Sequence, residues 1–172
     1  MNNSSGPIAV LVGPPGAGKS TIGRRLAHAL GVELVDSDEL IEAAMGKACG
    51  EVFSELGEPA FRELEAHHVA EALHHDGVVS LGGGAILTES TRKLLKEHDV
   101  VWIDVSVAEG IRRTAGERTR PVLKAANPEE HYRNLLETRR PYYQEVSTFR
   151  VRTNSRSPQQ VVAEVLHHLE NE

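Results

Sequence analysis

The stretch Gly13-Pro14-Pro15-Gly16-Ala17-Gly18-Lys19-Ser20 satisfies G-x-x-x-x-G-K-[ST] at every fixed position. Its chemistry is polyphosphate binding. Phosphates need several backbone N–H groups converging on one point, and glycines let the chain curl and approach closely. Lys19 can reach β- and γ-phosphates, and Ser20 can offer its hydroxyl to a divalent cation. A helix starting here would add the partial positive charge of its N-terminus. A chance glycine-rich turn would lack a strand before it and a helix after it, and both are present. The loop points to a bound nucleotide but says nothing of an acceptor.

Three further clusters bear on the acceptor. Asp36 and Asp38 follow a short apolar run. One carboxylate could serve Mg²⁺ through water and the other could take a hydrogen bond or proton from a hydroxyl, or the two could only cap a helix. Arg62 and Glu65 in Phe61-Arg62-Glu63-Leu64-Glu65 lie three apart and share a helical face. They are either an ordinary surface pair or an arginine held by a carboxylate and aimed at an anion. Gly82-Gly83-Gly84 directly follows another apolar run. It is either a flexible turn or a place where backbone closely approaches a ligand.

The elements that must position these groups alternate in type. Strands are expected at Ile8–Val12, Glu33–Val35, Val78–Leu81, Val100–Val105 and Phe149–Arg152. Helices are expected at Lys19–Leu30 with Gly31 as its stop, from near Glu39 with Ser37 or Asp38 as its cap, and at Gly50–Leu56. Further helices are expected from Glu58-Pro59 to about His75, and at Glu89–Glu97, Ala108–Thr114, Pro128–Val146 and Pro158–Leu169. Such alternation implies an α/β fold whose parallel sheet is covered on both faces. Between Gly116 and Asn127 the periodicity fails, and that charged stretch is expected to be a mobile functional loop.

The 172 residues suit one domain. The net charge of 19 − 25 = −6 argues against a general nucleic-acid binder, without excluding an anionic ligand in an arginine-lined cleft. One cysteine, Cys49, excludes an intrachain disulfide and fits a reducing cytoplasm. It has no visible partner for nucleophilic work and reads as a small, partly buried residue. The first residues carry neither the basic patch nor the apolar stretch of a signal peptide, and no apolar run is long enough to cross a membrane. Nine histidines, including the pairs His67-His68, His74-His75 and His167-His168, form no metal-ligand pattern and read as solvated. Trp102 reads as core.

Taken together, these motifs resemble the shikimate kinase family. Its phosphate loop has the G-x-P-G-x-G-K-S form, and its aspartate pair stands in a D-x-D-x-x-I-E context, seen here as Asp36-Ser37-Asp38-Glu39-Leu40-Ile41-Glu42. Its F-R-x-x-E motif appears as Phe61 to Glu65, and its triple glycine as Ser80-Leu81-Gly82-Gly83-Gly84-Ala85. Thr119-Arg120-Pro121-Val122-Leu123 is similar to the family's lid, and Arg139-Arg140-Pro141-Tyr142-Tyr143 to its R-x-P-x-Y segment. The resemblance covers Ala9 to about Leu169.

It implies a three-layer P-loop kinase fold: a five-stranded parallel sheet flanked by helices, plus a mobile lid. The chain would be one domain, 1–172, with a substrate-binding region at about 37–65 and the lid at about 116–127. The implied reaction is ATP-dependent phosphorylation of the 3-hydroxyl of shikimate. Lys19, Asp38 and Arg120 would be catalytic. ATP would be held by Gly16, Ala17, Gly18, Lys19, Ser20, Thr21, Arg113, Arg120, Arg156 and Pro158. Shikimate would be held by Asp38, Arg62, Gly82, Gly83, Gly84 and Arg139, with Arg62 and Arg139 on its carboxylate. Mg²⁺ would be held by Ser20 and Asp36. A cytoplasmic monomer without nucleic-acid or membrane partners is expected. Val122 stands where the lid more often has leucine, an exchange that keeps an apolar side chain. Arg140 rivals Arg139 as the carboxylate contact.

Two other functions compete with this one. A gluconate or adenylate-type kinase shares the phosphate loop, but gluconate kinases usually carry serine where Pro15 stands, and no second-nucleotide pattern is visible. A non-catalytic nucleotide-binding module would be expected to lack Lys19, Asp38 or Arg120, and all three are present.

Overall fold

The five expected strands become β1 (Ala9–Val12), β2 (Leu34–Asp36), β3 (Val78–Ser80), β4 (Val100–Asp104) and β5 (Phe149–Arg152). The computed structural model describes residues 6–114 and 127–171. The expected lid therefore lies outside the described residues except for Asn127, and so does Arg120. The strands form one sheet in the order β2-β3-β1-β4-β5, with every pair parallel. Side chains alternate between its faces. Leu11, Val101 and Ile103 meet Ile22 and Leu26 of α1 (Lys19–Leu30) and Val161 and Val165 of α8 (Pro158–Glu170). Val10, Val12 and Trp102 face the other way. They meet Val69 of α4 (Glu58–Ala72), Leu95 of α5 (Glu89–Leu95) and Val146 of α7 (Pro128–Val146). Burial on both faces is why β1 and β4 read as nearly continuous apolar runs.

The register aligns the carboxyl ends of the strands along one edge. Asp36 and Leu11 both pair with Ser80, and Val12 pairs with Trp102. β1 lies between β3 and β4, so the chain departs from it in opposite directions and opens a crevice beyond the strand ends. Local sequence sets the helix limits. Gly18 precedes α1 at φ 92°, a left-handed conformation that suits glycine. Gly31 ends the same helix, donating to the carbonyls of Ala27 and His28. Ser157 and Gln160 form a capping box at the start of α8.

Several expectations are corrected. The helix after β2 is α2 (Ser37–Met45), and its cap is Asp36 rather than Ser37 or Asp38. β2 runs one residue further than expected, leaving Asp36 extended. Its Oδ1 accepts from the amides of Asp38 at 2.8 Å and Glu39 at 3.4 Å. α4 stops at Ala72 instead of near His75, because His74 and His75 donate to Glu71 and Ala72 in tight three-residue turns. Two histidines are not solvated. His68 is buried on the inner face of α4, and His168 stacks on Phe149 with its Nε2 3.2 Å from Asp99. Trp102 is core, as expected.

Candidate active site

The phosphate loop connects β1 to α1 and is braced from behind. A Cβ on Gly13 would lie 2.2 Å from the carbonyl oxygen of Ile103, so only glycine lets the loop pass β4. Lys19 folds back over the loop and donates to the carbonyls of Gly13 (2.7 Å) and Pro14 (3.1 Å). Arg113, from α6 (Val107–Thr114), donates to the carbonyls of Gly16 (3.2 Å) and Ala17 (3.4 Å) and to Thr153 Oγ1 (2.9 Å), while Glu109 holds its Nε at 3.0 Å. Ser20, Thr21 and Arg113 line the cleft above the loop, which measures about 640 Å³. Arg156 and Pro158 do not line it. Arg156 is turned onto Glu164 and the carbonyl of Arg152.

The opposite wall is built around the triple glycine, and the flexible-turn reading fails there. A Cβ on Gly82 would sit 2.5 Å from Asp38 Oδ1, and one on Gly84 would sit 2.5 Å from Arg62 Nη2. One on Gly83 would stand 3.2 Å from Pro15 Cδ and 3.3 Å from Arg139 Nη1. Each glycine is therefore a bare stretch of backbone against which one charged side chain packs. Side chains that the motif reading left unassigned fix this turn. Ser37 Oγ accepts from the Gly82 amide at 3.0 Å, and the Tyr143 hydroxyl donates to the Gly83 carbonyl at 2.6 Å. Only Tyr143's place in the R-x-P-x-Y segment could have hinted at this.

Arg62 and Glu65 are no surface pair. Arg62 Nη1 donates to Glu65 Oε1 at 2.9 Å, and Glu65 is only 2% exposed. The guanidinium also lies 5.4 Å from the ring centre of Phe61 and 5.9 Å from that of Phe53, on α3 (Cys49–Leu56). A buried carboxylate and two rings thus hold its fork in one direction. The structure also separates Arg139 from Arg140. Arg139 is buried and lines the cleft, whereas Arg140 lies in a separate crevice with Arg150 and Arg152 beside Asp104.

Burial raises the Glu65 carboxyl above the ordinary carboxylate range, against the pull of Arg62. A carboxyl raised in this way takes up a proton on folding. Its contribution to stability is fully present below its ordinary pKa and is lost as pH climbs through the raised value. The stability of the native protein relative to Glu65→Gln is therefore expected to decline as pH rises through that window. Urea unfolding at a series of pH values checks this, and parallel profiles would remove Glu65 from the account. Burial, reinforced by the Asp38 charge, pushes the Cys49 thiol up, which disfavours its thiolate although it faces the cleft.

Asp36 and Ser20 both line the cleft. One Asp36 oxygen is spent on its cap, which leaves a hydroxyl and a second carboxylate oxygen as donors. Such a set suits Mg²⁺, which keeps most of its ligands as water and phosphate oxygens. Among the described residues no cluster of three or more His, Cys, Asp or Glu could form a full protein cage.

A parallel sheet with this order, a phosphate loop after its central strand and an arginine-lined wall opposite that loop define a P-loop kinase of small molecules. A family model described as shikimate kinase matches residues 15–170. The chain is 88% identical to a shikimate kinase of Corynebacterium efficiens over 166 residues, covering 96% of this chain and 98% of that one. It is 79% identical to a shikimate kinase of Corynebacterium glutamicum, covering 95% and 97%. Among solved structures, a shikimate kinase of Acinetobacter baumannii in complex with shikimate superposes with a TM-score of 0.92 at 35% identity, covering 98% of this chain and 94% of that one. The chain belongs to the shikimate kinase family.

Proposed function

We propose that this chain transfers the γ-phosphoryl group of ATP to the 3-hydroxyl of shikimate, yielding shikimate 3-phosphate and ADP on the route to chorismate and the aromatic amino acids. The observation that carries this is the convergence of Asp38, Arg62 and Arg139 on the triple glycine, facing the phosphate loop across one cleft. ATP is the co-substrate used by the family. Its phosphates would lie on Gly16 to Thr21, with Lys19 drawn off the loop carbonyls towards the γ-phosphate. Arg62 and Arg139 would grip the acceptor carboxylate. Asp38 would accept the hydroxyl proton as the oxygen attacks phosphorus in line and the bond to ADP breaks. Ser20 and Asp36 would hold Mg²⁺, which neutralises phosphate charge. Arg113, which touches Thr153, would border the adenine with Arg156 and Pro158 beyond it.

The whole chain, 1–172, is taken as one domain, with a substrate-binding region at about 37–65 and a lid at about 116–127. It is taken to act as a cytoplasmic monomer without nucleic-acid or membrane partners. Among the described residues no helix is long and apolar enough to cross a membrane.

Excluding water from ATP requires a cover, and Arg120 would bring a cation with it. Arg120→Ala is expected to lower turnover by roughly 10²-fold while melting temperature is kept. A variant with normal turnover would remove Arg120 from the mechanism. The function itself is tested by ADP release with shikimate, gluconate and AMP as alternative acceptors. Activity on gluconate or AMP with shikimate untouched would overturn it.

A further inference from the structure

Tyr132 and Tyr143 both lie on α7, eleven positions apart, which is about three turns at 3.6 residues per turn. They therefore share a face, and both are buried. Their hydroxyls reach main-chain carbonyls in two different loops, neither near α7 in sequence. Tyr132 donates to Pro15 in the phosphate loop at 2.6 Å, and Tyr143 to Gly83 in the acceptor turn at 2.6 Å. Both rings are fixed from the side. A Cβ on Gly110 would lie 2.1 Å from the Tyr132 hydroxyl, so this glycine of α6 makes room for the phenol. Tyr143 stacks on Trp102 with ring centres 5.8 Å apart. Burial raises the Tyr143 phenol to about 12, against the pull of the neighbouring Arg139, which keeps it a donor at working pH.

A trans peptide unit is planar, with its C=O and N–H pointing in opposite directions. A hydroxyl holding the Pro15 carbonyl thereby fixes the direction of the Gly16 N–H, and one holding the Gly83 carbonyl fixes that of the Gly84 N–H. Gly16 and Gly84 both line the cleft. We propose that Tyr132 and Tyr143 are positioning residues, each aiming one backbone amide through its anchored carbonyl: Gly16 at the nucleotide phosphates and Gly84 at the acceptor. α7 then serves as a strut that holds the two cradles at a set separation. The inference rests on the proposed function and adds two residues to it.

The test uses the full chain with Tyr143→Phe and Tyr132→Phe, which keep the rings and remove only the hydroxyls. Tyr143→Phe should raise the KM for shikimate about 3–10-fold, the loss of one hydrogen bond, and leave the KM for ATP within about 2-fold. Tyr132→Phe should do the reverse. General loosening would move both constants together or lower only the active fraction, so a common shift, a reversed split or no shift overturns the proposal. If either variant fails to fold, the native protein decides. Its Gly16 amide NMR signal should move on adding a non-hydrolysable ATP analogue, and its Gly84 signal on adding shikimate. Signals that stay in place overturn the proposal. A native protein that leaves shikimate unphosphorylated overturns the function beneath it as well, whereas an active native protein without the split overturns this inference alone.

Discussion

Asp38→Asn is expected to lower kcat with shikimate by about 10²–10⁴-fold while the KM for ATP and the melting temperature stay near native values. The substitution is nearly isosteric, so the side chain still fits against Gly82, where a Cβ would meet the carboxylate at 2.5 Å. Asparagine can still hydrogen-bond the acceptor hydroxyl and hold it in place. It cannot take the proton that the hydroxyl must lose as its oxygen bonds to phosphorus. If Asp38 acts as the base, kcat and kcat/KM for shikimate fall together, because the lost interaction belongs to the transition state. If it only orients the hydroxyl, the variant keeps most of its rate. Steady-state kinetics with shikimate varied at saturating ATP separates the two, and a kcat within a few-fold of native would end Asp38's role as base.

Much of this site was legible because its parts are local. The phosphate loop is a run of eight residues whose strand and helix lie beside it in sequence, so pattern and periodicity suffice. α1 and α7 occupy the spans their apolar spacing and flanking glycine or proline indicate, and β5 the span its alternating pattern indicates. Contacts between distant segments were not legible in the same way. Ser37 meets Gly82 across 45 residues, Tyr143 meets Gly83 across 60, and Tyr132 meets Pro15 across 117. No spacing rule spans such separations, because packing of the elements decides them.

The triple glycine shows the difference well. In sequence it is equally a hinge and a cradle. Only the side chains brought over it by α2, α4 and α7 decide that the missing Cβ atoms matter. Arg139 and Arg140 pose a similar problem, since adjacent helix positions differ by about 100°; spacing to Pro141 favours Arg139, but only the packing of α7 turns it inward. Asp36 shows the reverse effect. A one-residue shift in the end of β2 made the residue expected to serve a metal into the helix cap as well.

Arg62→Ala should raise the KM for shikimate by about 30- to 1,000-fold, the loss of about 2–4 kcal/mol of contact to a carboxylate, with the KM for ATP nearly unchanged. The split follows from placement: Arg62 packs against Gly84 on the wall opposite the phosphate loop, and the loop itself is braced by Lys19 and Arg113. The same change strands Glu65, a buried carboxylate that loses its 2.9 Å partner, so stability should fall too. Loss of stability could be mistaken for loss of binding, and two further variants separate them. Arg62→Ala combined with Glu65→Gln removes the stranded charge and should recover stability while the KM for shikimate stays high. Arg62→Lys keeps the charge but gives up the planar fork, and should leave part of the shikimate defect in place. Recovery of shikimate affinity in the double variant would mean that Arg62 serves the fold rather than the acceptor. Equal rises in both KM values would remove it from the carboxylate site.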